Sequence, residues 1–351
     1  MKAKHMLILG LVFLFAACKN QEVTETVHIT PNAIFMTVGD VQTLQVSTGN
    51  ALWSSSDETV ATVSGGIVEA LKDGHTVITA QKGEATGTAD VYVTQIGGTY
   101  LGEYELVWSD EFDGDALDQT NWTIENGGGG WGNQEKQFYT SRPENIRVQN
   151  GCLEIEARKE SYQNHEYTSA RIKSENKKEF AYGKMEARIM MPDGRGTWPA
   201  FWMKGKGSWP KKGEIDIMEH VGSQPKMISH AVHTNNKNGM RGGNWGARYY
   251  GEQSMENEWH TYGIEWEHLY TYGKDAIKFF VDGKQTAIVV ADKAEEDIDS
   301  WPFFDPEFFI INMAIGGTLG GSIDVDIFND PTNSPVIMYV DWVHVYQKVM
   351  K

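Results

Sequence analysis

Three acids alternate with apolar residues in Glu214-Ile215-Asp216-Ile217-Met218-Glu219. Successive side chains of a strand point to opposite faces, so Glu214 and Asp216 share one face. Strict alternation places Met218 there rather than Glu219, and a one-residue β-bulge after Ile217 returns Glu219 to the acidic side. The two glutamates then behave as if four residues apart, roughly 13 Å between Cα atoms at ~3.3 Å per residue. Carboxyls leaning inward narrow that to the ~5–5.5 Å separating nucleophile from acid/base in retaining glycoside hydrolysis. In that chemistry Glu214 attacks the anomeric carbon. Glu219 protonates the leaving oxygen and then activates the water that releases the covalent intermediate. Asp216, between them, raises the cost of ionising all three acids, which helps keep Glu219 protonated near neutral pH. It also lies within hydrogen-bonding reach of Glu214. A solvated strand face produces the same alternation. The context weighs against that: Gly196-Thr197-Trp198-Pro199-Ala200-Phe201-Trp202-Met203, Trp209-Pro210 and Lys212-Gly213 stand immediately upstream.

The elements that must hold these acids are strands. From Tyr104 to Gln347 the chain is dominated by period-two alternation, as in residues 182–189 and 277–283, and few stretches have helical periodicity. About 250 such residues fit one large sandwich or barrel. Residues 27–95 read as a smaller β-sandwich, with strands expected at 41–46, 75–80 and 88–93. Gly97-Gly98 is the expected joint.

Composition narrows the partners. The formal net charge of -17 argues against a nucleic-acid ligand, whose phosphates require clustered Lys and Arg. The 12 Trp, 14 Tyr and 14 Phe serve mostly as core, but ring faces also suit the apolar faces of sugars. With two cysteines, Cys18 and Cys152, no disulfide scaffold is available. Cys152 is expected to be buried in a strand. Lys2 and Lys4 precede an apolar run from Met6 to Ala17 that has the proportions of a signal peptide and is too short to span a bilayer.

Several stretches resemble known families. Phe15-Ala16-Ala17-Cys18 is similar to a bacterial lipobox, which implies a signal peptide over 1–17, lipid on Cys18, a tether over 18–26 and a secreted protein anchored to the membrane through lipid only. Trp53-Ser54-Ser55-Ser56-Asp57, Val60-Ala61-Thr62-Val63, Gly66-Ile67-Val68 and Gly74 leading into Ile78-Thr79-Ala80 resemble the bacterial Ig-like group 2 domain, and imply a spacer over 27–95. The Trp-Pro-Ala-Phe-Trp and Gly-Glu-Ile-Asp-Ile-Met-Glu motifs resemble glycoside hydrolase family 16, in its laminarinase-like branch with the bulge. Supporting pieces are Trp108-Ser109-Asp110-Glu111-Phe112, Gly129-Gly130-Trp131-Gly132-Asn133-Gln134-Glu135, Ser169-Ala170-Arg171-Ile172 and Tyr339-Val340-Asp341-Trp342-Val343.

This resemblance covers residues 99–348. It implies an all-β fold: a concanavalin A-like β-jelly-roll sandwich with a groove, behind the small Ig-like sandwich. It implies endo-acting, retaining hydrolysis of a β-glucan polysaccharide, β-1,3-glucan of the laminarin type first and mixed-linkage β-1,3-1,4-glucan second, with nucleophile, helper and acid/base at Glu214, Asp216 and Glu219; a monomer is expected. It further implies that Asn145, Arg171, Trp198 and Trp202 line the donor side of the groove, that His233 stands beside the acid/base, and that a structural calcium sits at Glu111, Gly151 and Asp341. No cofactor is required for the chemistry. Gly127, Gly129 and Gly132 satisfy G-x-G-x-x-G without the βαβ context that a dinucleotide site needs, so they are expected to form a pliable groove loop with Trp131 exposed on it. Zinc at His220, His230 and His233 is disfavoured, since paired carboxylates suffice. One departure is Gly316-Gly317-Thr318-Leu319, where laminarinase-like sequences often carry Gly-Gly-Asn-Trp; it puts the β-1,3-glucan assignment in question without touching the acids. The competing expectations are a relative acting on agar- or carrageenan-type galactans, and a non-catalytic glycan-binding surface protein.

Overall fold

A computed structural model of the chain describes residues 27–47, 49–72, 74–94, 104–240, 243–269, 274–291, 298–329 and 335–348. The signal peptide, the tether with Cys18, and the Gly97-Gly98 joint lie outside these residues.

Two twisted sheets face each other in the larger unit. One has ten strands. Its path runs Gln137–Tyr139, His165–Ser169, Cys152–Tyr162, Val336–Lys348, Gly183–Met190, Trp259–Leu269, Lys274–Val281 and Lys284–Val290, with Tyr104–Asp110 added on Val336–Lys348 and Ile146–Gln149 on Cys152–Tyr162. The other has eight strands, ordered Thr123–Ile124, Arg171–Lys173, Glu307–Ile315, Thr197–Gly205, Glu214–His220, Met227–His233 and Trp245–Tyr250, with Glu179–Phe180 beside Glu307–Ile315. The acidic segment therefore occupies an interior strand, held by neighbours on both edges.

Alternation explains the layering. Gly183–Met190 is buried at every second residue. Its inward row meets Phe201, Met203, Ile215, Phe309 and Ile311 of the opposite sheet, all fully buried. Each large apolar side chain so removed from water contributes about 1.5–3 kcal/mol as an upper estimate. This is the expected jelly-roll sandwich. Helix among the described residues is confined to Gly317–Gly320 and a 3-10 turn at Val325–Phe328.

The smaller unit has its own core, including Ile34, Leu44, Val68, Ile78 and Val91. A four-stranded sheet (Ala33–Thr37, Ala85–Thr94, Gly74–Lys82, Leu52–Ser55) packs with a three-stranded one (Val41–Thr43, Ile67–Ala70, Ala61–Ser64). The strand expected at 41–46 is split at Leu44, because the chain changes sheets there: Gln45–Val46 pairs with Ile29–Thr30 instead. Leu44 is buried and its N–H donates to the carbonyl of Gly66 at 2.8 Å. Gly66 has φ +87, and a Cβ on it would stand 2.6 Å from the Leu44 oxygen, so a side chain is excluded there.

Candidate active site

The catalytic-strand candidate, Glu214–His220, lies between Thr197–Gly205 and Met227–His233. On the first side Trp202 stands opposite Asp216 and Phe201 opposite Met218, which leaves Ile217 without a cross-strand partner. On the second side Asp216 faces Ala231 and Glu219 faces Ser229, so Ile217 and Met218 together oppose His230. This is the bulge that the spacing of the acids demands. Ile215, Ile217 and Met218 all turn into the core with no exposure, while Glu214 and Glu219 remain partly open on the groove side.

The acids are crowded and poorly solvated. Burial pushes Glu219 up to about 8, helped by the charge of Asp216 and opposed by the indole N–H of Trp198, which donates to Glu219 Oε1 at 3.1 Å. Burial also raises Glu214, with Asp216 adding to the rise, and burial raises Asp216 itself. Neighbouring carboxyls in one poorly hydrated place do not all ionise together.

His233 Nε2 stands 3.2 Å from Asp216 Oδ2 and 3.8 Å from Glu214 Oε1. Its Nδ1 accepts from the Gly239 N–H at 3.3 Å, and its Nε2 also lies 3.1 Å from the side-chain amide nitrogen of Asn244. Glu214, Asp216 and His233 offer donor atoms within 4.8 Å of one another, as a metal site would. His233 Nε2 is, however, already shared between Asp216 and the Asn244 amide. The other two histidines are spent as well: His220 bonds the Met227 carbonyl and Glu256, and His230 bonds the Ile217 carbonyl and Thr286. The arrangement does not suit zinc.

Beside the acids runs an aromatic–guanidinium row. The Arg171 guanidinium lies 4.7 Å from the Trp131 ring centroid and 4.9 Å from that of Trp202, and its Nε donates to Glu125 at 2.5 Å. Trp131 is not exposed on a pliable loop as expected. Its ring folds back edge-on to Tyr139 and its Nε1 donates to the Gly127 carbonyl. Trp202 Nε1 donates to Asn312 Oδ1 at 2.8 Å, Asn312 donates on to the Tyr139 hydroxyl, and Tyr139 donates to the buried Glu135. Trp198 is buried, closing one side of Glu219.

Asn145 does not line the groove. It is fully buried with its amide consumed by Thr140, Arg142, Thr168 and the Glu156 carbonyl, beside a strand of the opposite sheet. Cys152 is only half-buried, because it opens its strand instead of sitting within it. At the position implied for calcium, Leu153 pairs with Val340, so Gly151 and Cys152 run alongside Asp341. The Asp341 carboxylate pairs with Arg188, and Glu111 pairs with His344 at 2.9 Å. Each pair engages one carboxylate oxygen, so an ion there would draw on the remaining oxygens and on backbone carbonyls, the only ligand Gly151 can offer.

Three residues beside the acids were given no role in the sequence reading, though it names Trp209 and His230. Trp209 is 36% exposed, and its ring lies 6.0 Å from that of His233, on the Glu214 side. Its Trp-Pro motif was the available signal. Glu307 is fully buried behind Gly213 with neither carboxylate oxygen bonded, and burial, reinforced by Glu214 and Asp216, raises it well above the ordinary range. His230 underlies the bulge. Nothing in the local sequence marks either of these last two.

The model for glycosyl hydrolases family 16 matches residues 133–344. The chain belongs to this family. A β-glucanase of Rhodothermus marinus is 42% identical over 257 residues, spanning 70% of this chain and 86% of that protein. The solved laminarinase of Rhodothermus marinus superposes with a TM-score of 0.63 at 41% identity, over 71% of this chain and 99% of that one. An endo-β-1,3-glucanase of Pyrococcus furiosus gives a TM-score of 0.63 at 37% identity, over 71% of this chain and 97% of that one. As a family 16 chain, the protein carries its three acids in the groove of a jelly roll that these relatives share.

Proposed function

We propose that the chain is an endo-acting, retaining β-glucanase that hydrolyses β-1,3-glucan of the laminarin type, with Glu214 as nucleophile, Glu219 as acid/base and Asp216 as the residue that orients Glu214. The observation that carries this is the bulge: it brings three acids separated by unequal spacing onto one groove face, in a family whose similar members are named for glucan hydrolysis. Trp198 hydrogen-bonds the acid/base, and its burial beside Glu219 keeps water from that side. His233, 3.2 Å from Asp216, holds the acid next to the nucleophile. Trp202, Arg171 and Trp131 form the wall along which the glucan lies. The small N-terminal unit serves as an Ig-like spacer, and lipid on Cys18 as the anchor; both of these readings rest on sequence motifs alone.

Laminarin, lichenan, agarose and carrageenan given to the purified protein test the reading. Laminari-oligosaccharides of several lengths are expected, and the lichenan digest sets the tolerance for mixed linkages. Cleavage of a galactan with both glucans intact would move the substrate and leave the acids in place. Glu214→Ala is expected to abolish hydrolysis and retain laminarin binding in affinity electrophoresis; hydrolysis at the unaltered rate would end the assignment of Glu214.

A further inference from the structure

A bulge that returns Glu219 to the groove also breaks the pairing of its own strand. Ile217 has no partner on the Thr197–Gly205 side, and on the other side it shares His230 with Met218. A carbonyl stranded in the core is costly unless a donor reaches it. Here the donor is a side chain: His230 Nδ1 lies 2.7 Å from the Ile217 carbonyl oxygen. A carbonyl only accepts, so the proton is on Nδ1. Nε2 then faces the Thr286 hydroxyl at 2.9 Å and is the nearer of two acceptors for that hydroxyl's single proton, the other being the Phe279 carbonyl at 3.2 Å. Thr286 belongs to strand Lys284–Val290 of the opposite sheet, and the His230 ring stacks on Phe279 of that same sheet at 4.9 Å. His230 is 2% exposed, and its burial pushes it down to about 4, so the ring stays neutral and the directions of both bonds stay fixed.

We infer that His230 is a positioning residue for the acid/base: by donating to the bulged Ile217 carbonyl, and by being tied through Thr286 to the facing sheet, it fixes the backbone turn that sets Glu219 in the groove. It touches no substrate. The link runs from Thr286 through the ring to Ile217 and on, through two peptide units, to Glu219. This rests on the reading of Glu219 as acid/base.

The test uses the full-length protein and three variants. His230→Phe keeps a ring for the Phe279 stack and removes the donor. His230→Asn keeps an N–H at the Nδ1 position. Thr286→Val releases the far end. With laminarin, kcat of H230F is expected to fall between about 10- and 100-fold, the scale of a reacting group misplaced by about 1 Å, with KM within about twofold of the wild type. H230N is expected to recover most of kcat, and T286V to show a smaller loss that does not add to that of H230F. The basic limb of the kcat–pH profile, which reports Glu219, is expected to move in H230F and to return in H230N. A structural role alone would lower the melting temperature and leave that limb in place. Unchanged kcat in H230F, equal loss in H230F and H230N, or loss confined to KM would each overturn the inference. A wild type silent on laminarin would instead count against the proposed substrate. Crystal structures of wild type and H230N (and of H230F if it folds) then read the Ile217 carbonyl and the Glu219 side chain directly: the inference needs the bulge kept in H230N and altered in H230F.

Discussion

At the residue scale, the site depends on carboxyls held away from water. Glu219, raised to about 8 mainly by burial, carries its proton at neutral pH, as the acid/base role proposed for it requires. Activity on laminarin is therefore expected to fall as pH rises through about 8, where Glu219 ionises, and kcat measured from pH 5 to 10 checks this. Glu219→Gln is expected to lose roughly 10²–10⁴-fold in kcat, the usual contribution of an acid/base, and to flatten that limb. Glu307 shows the same physics without a function in the reaction. Its carboxyl is raised by burial and finds no partner. Below the unfolded value for a glutamate both states hold the proton; above it the unfolded chain ionises while the buried group resists, so the folded state loses stability as pH rises. Glu307→Leu is thus expected to stabilise the protein by about 1–3 kcal/mol at pH 8, the cost of an unsatisfied buried polar group, and by less at pH 4, as denaturant titrations at both pH values would show. The acids were legible because alternation and spacing are local properties of the chain. Asn145 was misplaced because an amide's destination is a tertiary fact: its partners, Glu156 and Thr168, come from later strands.

At the scale of the element, the catalytic strand carries a built-in irregularity. Deleting Met218 leaves Glu214-Ile215-Asp216-Ile217-Glu219 in unbroken alternation, with all three acids still on the groove face. Hydrolysis is expected to survive that deletion in reduced form. Deleting Ile215 instead turns Glu214 into the core, and is expected to abolish hydrolysis and lower the melting temperature sharply. Reducing-end assays and thermal melts on both deletions decide; equal behaviour of the two would refute the bulge as the device that sets the face. The strands themselves were readable from period-two patterning, to within a few residues, as at 182–189 against the observed Gly183–Met190. The break at Leu44 was not, since a strand that passes from one sheet to another keeps the same alternation on both sides of the switch. His230 was not either: the carbonyl it serves is 13 residues away along the chain, and nothing near His230 announces a bulge.

At the scale of the whole molecule, the two sheets of the larger unit share one core and leave the acids on the outer face of the eight-stranded sheet, while the ten-stranded sheet backs it. The division into a small and a large β unit was visible in the sequence; the order of strands was not, because pairing is decided by packing between segments far apart in the chain. That order has a temporal side. The strand Val336–Lys348 pairs with Tyr104–Asp110, Cys152–Tyr162 and Gly183–Met190, so among the described strands of this sheet the one latest in the chain lies in the middle. Until it arrives, the strands on its two sides have no common neighbour, and the core beneath them is open. The ten-stranded sheet can therefore be completed only after translation has passed residue 348.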